Sequence, residues 1–313
     1  MSKIPFQASG VIPAVLLPFH DDLSIDKDSF RKHLRSVTDV QGLSAITLNA
    51  HSTEVHACTF EEQQLVLETA LGEVGDRLPI VNGIYADGSQ QAARIARMAT
   101  QAGASALLVF PPHTIGTMNG QDRPEMALAH FQRIAEASDL PIILFQYPSD
   151  YAYPQDTLLK LFEKVPTIRA IKDWSPPVDH DRNIRLLQNL SRPVSVFSTN
   201  SAWLMSSLVM GPKGLLSGSG SVIADLQVEL FEAVQARDLA RAQTAADRIH
   251  PLSSRFYARP WVDMHNRMKE ALVLLGRLPR AVVRPPLVKI PESEIGLIRE
   301  ALVKAGLLLR PAA

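Results

Sequence analysis

The chain has 313 residues, of which 46% are hydrophobic and 20% are charged. This composition supplies enough apolar side chains for a large buried core and excludes a globally disordered protein. Lysine and arginine together number 32, as do aspartate and glutamate, so the formal net charge is zero. Because nucleic acids and anionic membranes attract basic surfaces, we expect neither of them as a partner.

The chain carries a single cysteine, Cys58, which excludes an intrachain disulfide and a cysteine-based zinc site. Residues 1–10 contain one lysine and no apolar stretch, so no signal peptide is recognisable. The longest apolar runs are far shorter than the roughly 20 residues that a membrane-spanning helix needs. These features predict a cytoplasmic protein.

Short apolar runs recur through the first two-thirds of the chain. Most of them do not alternate with polar residues, which is typical of strands buried on both faces of a parallel sheet. The eight runs comprise residues 11–18, 43–49, 79–85, 106–112, 141–148, 168–174, 194–199 and 214–217. Ala92, Ile95 and Ala96 show the helical spacing that occurs between these runs, and the capping-box spacing of Thr59 and Glu62 predicts a helix from about residue 60.

The alternation of eight strands with helices predicts an α/β fold, a (β/α)8 TIM barrel. A doubly wound sheet is the alternative, but it requires a glycine-rich first turn, and residues 18–21 contain no glycine. The Gly-Ser-Gly at 218–220 lacks the third glycine of a dinucleotide site, so we expect no nucleotide cofactor.

The strand pattern stops after about residue 222. Helical patterns follow at 238–249, 262–275 and 293–305. We therefore predict a barrel over residues 1–222. The last barrel helix and a C-terminal helical extension would occupy residues 223–313.

Lys172 is the strongest candidate for a catalytic residue. Ala170, Lys172 and Trp174 share one face of the sixth predicted strand. If that face points into the barrel, the amine lies near the C-terminal mouth, where barrel active sites lie. Burial would lower the lysine pKa and free a nucleophilic amine that condenses with a ketone to form a Schiff base. The alternative is a lysine that extends from the strand end into solvent.

Polar residues follow the second strand at 49–56, where His51, Ser52, Thr53 and Glu54 lie. Such side chains at a barrel mouth suit carboxylate binding and proton transfer, although ordinary loop polarity explains them equally well. The spacing of His51, Glu54 and His56 matches neither common zinc pattern, so we expect no metal site.

Other strand ends carry further candidates. Phe145 and Tyr147 end the fifth run, and a tyrosine there either transfers protons or packs with a satisfied hydroxyl. His113 and Thr114 follow the fourth run. The loop at 217–221 is either a turn or a binding site for a carboxylate or phosphate, and no Gly-x-Ser-x-Gly pattern supports a hydrolase.

The chain resembles the dihydrodipicolinate synthase and N-acetylneuraminate lyase family between residues 10 and about 287. Four stretches carry the resemblance: Gly-Val-Ile-Pro-Ala at 10–14 with Pro-Phe at 18–19, Ala-Gly-Ala at 102–104 before Leu-Leu-Val-Phe-Pro-Pro at 107–112, residues 168–173, and Val-Arg-Pro-Pro-Leu at 283–287. It implies a (β/α)8 barrel with C-terminal helices, commonly tetrameric. It also implies that Lys172 forms a Schiff base with pyruvate or another 2-oxo acid.

The resemblance also shows departures. The family's carboxylate-binding segment, Gly-Thr-Thr-Gly-Glu, corresponds to Ala-His-Ser-Thr-Glu at 50–54, so Ser52 keeps a hydroxyl and His51 replaces a threonine of the proton relay. Phe145 stands where the catalytic tyrosine is expected. Thr114 stands where the tyrosine after the double proline is expected, and His113 is its neighbour. Pro-Ser-Asp-Tyr at 148–151 lacks the expected arginine, and an acidic residue there would repel a carboxylate. Dihydrodipicolinate synthase activity itself is therefore not expected.

Tyr147 is our predicted substitute for the missing tyrosine. It lies two residues beyond Phe145 on the same strand face, about 6.6 Å closer to the mouth. With His51 it would move protons on a Schiff base at Lys172. The predicted substrate-binding residues are Ser52, Thr53, Phe145, Leu216, His113 and Thr114.

Two functions follow from these residues. The first is a lyase, either an aldolase or a dehydratase, that acts on a 2-oxo acid such as a 2-keto-3-deoxy sugar acid. The second is a 2-oxo acid-binding or sensing protein that has lost lyase chemistry. In either case we expect a homo-oligomer, a tetramer or a dimer, that works without a cofactor.

Overall fold

The computed structural model describes residues 4–148 and 151–309, and eight parallel strands in these ranges form one curved sheet. They are β1 Gly10–Pro13, β2 Ile46–Leu48, β3 Ile80–Ile84, β4 Ala106–Val109, β5 Ile142–Gln146, β6 Ile168–Asp173, β7 Ser195–Ser198 and β8 Gly214–Ser217. Each strand from β2 to β7 pairs with the next, and β1 pairs with β8. Parallel bridges from Val11 to Leu43 and from Ala14 to Thr47 complete the circle. The predicted (β/α)8 barrel is confirmed.

The paired strands are shorter than the apolar runs that predicted them. β1 ends at Pro13, although Val15, Leu16 and Leu17 are fully buried. The backbone beyond the strand finds other partners, since Leu16 N–H donates to Ser221 Oγ at 2.9 Å. Hydrophobicity therefore marked the buried segment, whereas hydrogen bonding set the strand end.

Helices fill the connections and surround the sheet. They are α1 Lys27–Thr38, α2 Phe60–Val74, α3 Ser89–Ala102, α4 His113–Thr117, α5 Pro124–Ala135, α6 Gln155–Lys164, α7 Pro177–Leu187, α8 Leu204–Val209, α9 Gly220–Gln235, α10 Leu239–Phe256, α11 Met264–Leu274 and α12 Glu292–Lys304. The predicted start of α2 at Phe60 is confirmed, with Thr59 and Glu62 forming the capping box. In the described part of the chain, no helix is long and apolar enough to cross a membrane.

The first C-terminal helix is longer than its sequence pattern predicts. α10 continues through Pro251 to Phe256 instead of ending near residue 249. Leu252 and Phe256 are fully buried, and their packing outweighs the backbone hydrogen bond that the proline removes. The division of the chain at residue 222 stays a prediction.

The core has two layers. Side chains inside the barrel form one cluster, which includes Ala170 and the partly buried Trp174, whereas Ile171 belongs to the layer between strands and helices. The face of β6 that carries Lys172 therefore points into the barrel. A bulge precedes this face, because Ile142 pairs with Ile168 and the next residue of β5 pairs with Ala170. Bulges re-aim the residues that follow them.

Candidate active site

Lys172 lies near the end of β6, between Phe145 on β5 and Phe197 on β7. The lysine is 8% exposed, and its Nζ lies 4.2 Å from the centre of the Phe145 ring. Among the described residues, no carboxylate pairs with this amine. Burial lowers the pKa of Lys172 to about 7, so a large fraction of the amine is neutral near neutral pH.

Two spaces with shared wall residues lie at the carboxyl end of the barrel, and Lys172 lines the inner one. An inner space of about 40 Å³ has Ala14, Ala50, His51, Ser52, Phe145, Lys172, Trp174, Thr199, Gly218, Tyr257, Met264 and His265 on its walls. An outer cavity of about 570 Å³ has mostly apolar walls. His51, Trp174, Met264 and His265 line both spaces, so the outer cavity adjoins the space that contains the amine.

His51 and Tyr147 meet at the junction of the two spaces. The Tyr147 hydroxyl lies 3.0 Å from His51 Nε2. Burial, followed by the charge of Lys172, lowers the pKa of His51 to about 3, and burial raises the pKa of Tyr147. Both groups are therefore neutral near pH 7, and a hydrogen bond joins the hydroxyl to the imidazole.

The two hydroxyl residues after β2 have different surroundings. Ser52 is buried and lines the inner space, and its Oγ has no hydrogen-bond partner among the described residues. The Thr53 hydroxyl accepts from the Ala50 N–H at 2.9 Å and donates to the Ala50 carbonyl at 2.8 Å. Ser52 is thus available to a ligand, whereas Thr53 is occupied in shaping the turn.

The remaining predicted residues are spread over several places. Phe145 lines the inner space, and His113 lines the outer cavity. Leu216 packs inside the barrel and is not on the wall of either space. Thr114 is also absent from both walls, and its hydroxyl and its backbone N–H, the latter at 3.2 Å, donate to Asp87.

The loop after β5 is only partly described. Ser149 and Asp150, where the sequence lacks the expected arginine, lie outside the described residues. The flanking Pro148 and Tyr151 line the outer cavity.

Several wall residues escaped the sequence analysis. Tyr257 directly follows α10 and His265 lies on α11, and the Tyr257 hydroxyl lies 3.2 Å from Ser217 Oγ. His265 packs against Gly218, where a Cβ would lie 2.8 Å from its Nε2. Burial lowers the pKa of His265 well below its usual value. The Gly-Ser-Gly loop at 218–220 could have indicated a side chain packed closely against it, because glycine permits such a close approach.

Glu54 joins the loop after β2 to the C-terminal helices. Its buried carboxylate pairs with Lys269 of α11 through one oxygen and accepts the Arg284 N–H through the other at 2.9 Å. Lys269 Nζ also donates to the Val282 carbonyl at 2.8 Å. Glu54, the acidic residue that the resemblance retains after β2, therefore ties this loop to the C-terminal segment.

A serine–histidine–aspartate chain lies behind β6. Asp173 Oδ2 is 2.8 Å from His180 Nδ1, and His180 Nε2 is 2.9 Å from Ser207 Oγ. Hydrolases use this arrangement, but these three residues are fully buried and line neither space above Lys172. The chain anchors α7 and α8 to the end of β6.

The described residues contain no group of three or more histidine, cysteine, aspartate or glutamate side chains that could hold a metal ion. A parallel eight-stranded barrel with a buried, unpaired lysine at the carboxyl ends of its strands defines a class of protein. It is the class of barrel enzymes that react through a lysine amine.

The family follows from comparison with known proteins. A model described as "Dihydrodipicolinate synthetase family" matches residues 7–305, and the chain belongs to that family. Members of the family are lyases of the class I Schiff-base type, and this protein is an enzyme of that kind. The resemblance inferred from the sequence is thereby confirmed.

The curated relatives are distant but match over their whole length. A 4-hydroxy-tetrahydrodipicolinate synthase from Methanopyrus kandleri is 28% identical over 97% of this chain and 98% of its own. One from Methylobacterium radiotolerans is 30% identical over 96% of each chain. At this identity the protein is a divergent member.

Solved structures support the fold. The dihydrodipicolinate synthase of Thermotoga maritima superposes with a TM-score of 0.85 at 22% identity, over 96% of this chain and 99% of that one. YagE, a prophage protein of E. coli K12 solved in complex with pyruvate, superposes with a TM-score of 0.87 at 22% identity, over 96% and 99%.

Proposed function

We propose that this protein is an aldolase or dehydratase that forms a Schiff base between Lys172 and pyruvate or another 2-oxo acid. One observation carries the proposal: the Lys172 amine is buried without a carboxylate partner among the described residues, and its pKa is lowered to about 7. A neutral amine attacks the C2 carbonyl and expels water, and the resulting iminium withdraws electrons from C3.

Ser52 is suited to hold the substrate carboxylate. Its hydroxyl lines the same space as Lys172 and has no partner among the described residues. A buried polar group without a partner is costly, so a ligand that accepts its hydrogen bond is favoured. The inner space of about 40 Å³ has room for about three water molecules, so the substrate extends into the outer cavity.

Tyr147 and His51 provide the proton transfer that Phe145 cannot. The hydroxyl and the imidazole are joined at 3.0 Å, and His51 also lines the space that contains Lys172. In the cleavage direction the pair removes a proton from the substrate hydroxyl and returns one to C3 after the bond has broken.

A binding or sensing protein without lyase turnover is the second candidate. It is favoured by the apolar Phe145 ring beside Lys172 Nζ and by the commitment of the Thr114 hydroxyl to Asp87. A homotetramer or homodimer and a cytoplasmic location stay predictions for both candidates.

Borohydride reduction in the presence of pyruvate tests the lysine. We expect one pyruvate-derived adduct per chain by intact mass, located on Lys172 by peptide mapping. Lys172→Met should carry no adduct, and the exposed Lys160→Met should label as the native protein does. An unmodified native chain would refute the proposal.

Tyr147→Phe and His51→Gln test the relay. Each change should lower lyase turnover about 100-fold, because a positioned acid or base is lost, while pyruvate trapping persists. Full turnover in both variants would rule the relay out. Trapping without turnover of any 4-hydroxy-2-oxo acid or 2-keto-3-deoxy acid would identify the binding protein instead.

A further inference from the structure

We infer that the outer cavity binds an apolar, ring-bearing group, so that the substrates are 4-hydroxy-2-oxo acids with an aryl group on C4. The products of cleavage are then pyruvate and an aromatic aldehyde. This inference rests on the proposed Schiff-base function and names the aldehyde part of its substrate.

The walls of the outer cavity are built from aromatic rings. The ring centres of Tyr147 and Trp174 are 6.4 Å apart, and those of Trp174 and Trp261 are 5.4 Å apart. Tyr85 packs against His51 with ring centres 5.5 Å apart. Aromatic side chains on a cavity wall bind a further ring by edge-to-face or offset contact.

Charge argues against a polar second substrate. No lysine or arginine is among the described residues that line the outer cavity. Among the described wall residues the one carboxylate is Glu54, which is already paired with Lys269. A second substrate carboxylate would therefore lose its hydration without gaining a cation.

Size and exposure fit a small aromatic group. The cavity volume of about 570 Å³ lies within the range of about 300–1,000 Å³ that is usual for small-molecule sites. At its rim Trp261 is 44% exposed and Val262 is 61% exposed. A ring seated between them would remove this apolar surface from water.

The reaction is balanced with the groups present. The Lys172 amine adds to C2 and expels water to give the iminium. The C3–C4 bond breaks, its electron pair forms the enamine, and the C4 hydroxyl gives its proton to the His51–Tyr147 pair as the aldehyde leaves. That proton returns to C3, and one water hydrolyses the imine to release pyruvate.

Pyruvate release from three substrates of one stereochemical series tests the inference. They are 4-hydroxy-2-oxo-4-phenylbutanoate, 4-hydroxy-2-oxoglutarate and 2-keto-3-deoxygluconate. We expect kcat/KM to be higher for the phenyl compound than for either of the others by about tenfold or more, because only its ring gains apolar contact. A preference for the dicarboxylate or the sugar acid would overturn the inference and leave Lys172 chemistry intact.

Trp261 provides the matched variants. Trp261→Ala should lower kcat/KM for the phenyl compound about tenfold and leave the sugar acid unchanged, and Trp261→Phe should restore part of the loss. Trp203→Phe is the control, because Trp203 lies outside both spaces above Lys172. Equal losses for all substrates would show that Trp261 is structural and would refute the contact.

A binding measurement separates this inference from the proposed function. Two of the three tryptophans, Trp174 and Trp261, line the cavity, so benzyl alcohol should change the intrinsic fluorescence with saturation. Glycerol should not. If pyruvate trapping fails while benzyl alcohol binds, the Schiff-base function is refuted and the aromatic binding cavity is supported. No saturable change in Trp203→Phe would refute the cavity itself.

Discussion

Two buried lysines lie at the barrel mouth in opposite surroundings. Lys172 projects into the inner space, with an aromatic ring beside its amine and no carboxylate partner in the described structure. Lys269 lies between the loop after β2 and the C-terminal helices, where Glu54 and the Val282 carbonyl accept its hydrogen bonds. Burial lowers the pKa of both, but Glu54 opposes the shift only at Lys269.

The comparison shows that burial alone does not make a lysine reactive. A paired ammonium keeps its proton and stabilises the fold, whereas an unpaired amine is easily deprotonated and can attack a carbonyl. The partner therefore decides which lysine is structural and which is available for chemistry.

Removing the carboxylate partner should have the largest effect on stability. Glu54→Gln leaves the Lys269 ammonium buried without a counter-charge, so we expect the free energy of unfolding to fall by about 3 kcal/mol in urea denaturation. Glu61→Gln is the control, since Glu61 is exposed and lies 3.7 Å from Arg94. Equal losses in the two variants would contradict the structural role of the pair.

Removing the unpaired amine of Lys172 should instead raise the free energy of unfolding. Lys172→Met relieves the cost of a buried lysine, and we expect a gain in the free energy of unfolding of about 2 kcal/mol at pH 7. Since the pKa of Lys172 is lowered in the folded state, the native chain recovers stability as pH rises from about 7 towards the ordinary lysine pKa. The gain should therefore shrink over that interval. A gain that does not change with pH would disprove the cause.

The pH dependence of imine formation sharpens the contrast further. With a Lys172 pKa of about 7, the neutral amine increases about tenfold per pH unit below pH 7 and levels off above it. The rate of pyruvate trapping should follow this curve. A rate that keeps rising to about pH 10 would mean that Lys172 has an ordinary lysine pKa.

The smallest expected effects are those of removing the two neighbouring hydroxyls of Ser52 and Thr53. Ser52→Ala should raise the KM for pyruvate about fivefold without loss of stability, because its Oγ has no partner among the described residues. Thr53→Ala should instead cost about 1 kcal/mol of unfolding free energy, since it loses its bonds to Ala50. If thermal unfolding showed a stability loss for Ser52→Ala, and kinetics showed a raised KM for Thr53→Ala, the assigned roles of the two residues would be wrong.

The sequence predicted what local periodicity determines. Alternation along β6 placed Ala170, Lys172 and Trp174 on one face, and the structure shows that this face points into the barrel. Spacing on β5 likewise placed Tyr147 beyond Phe145, close enough to the mouth to reach His51.

Local periodicity could not predict contacts between segments that are distant in the sequence. His265 and Trp261 reach the cavity because α11 and the turn before it pack over the barrel, and no local pattern encodes that packing. Thr114 was expected at the substrate, yet Asp87 from another loop takes its hydroxyl. The catalytic and substrate-binding roles of individual residues stay predictions.

Because α11 covers the barrel, the reactive amine and part of the cavity wall come from distant parts of the chain. Lys172 belongs to β6, whereas Trp261 and His265 belong to the C-terminal segment. Changes at Trp261, which lines the outer cavity but not the inner space, can therefore alter the proposed aldehyde specificity without altering the wall around the amine. Such modularity makes the C-terminal segment the natural target for swapping between paralogues or for directed evolution.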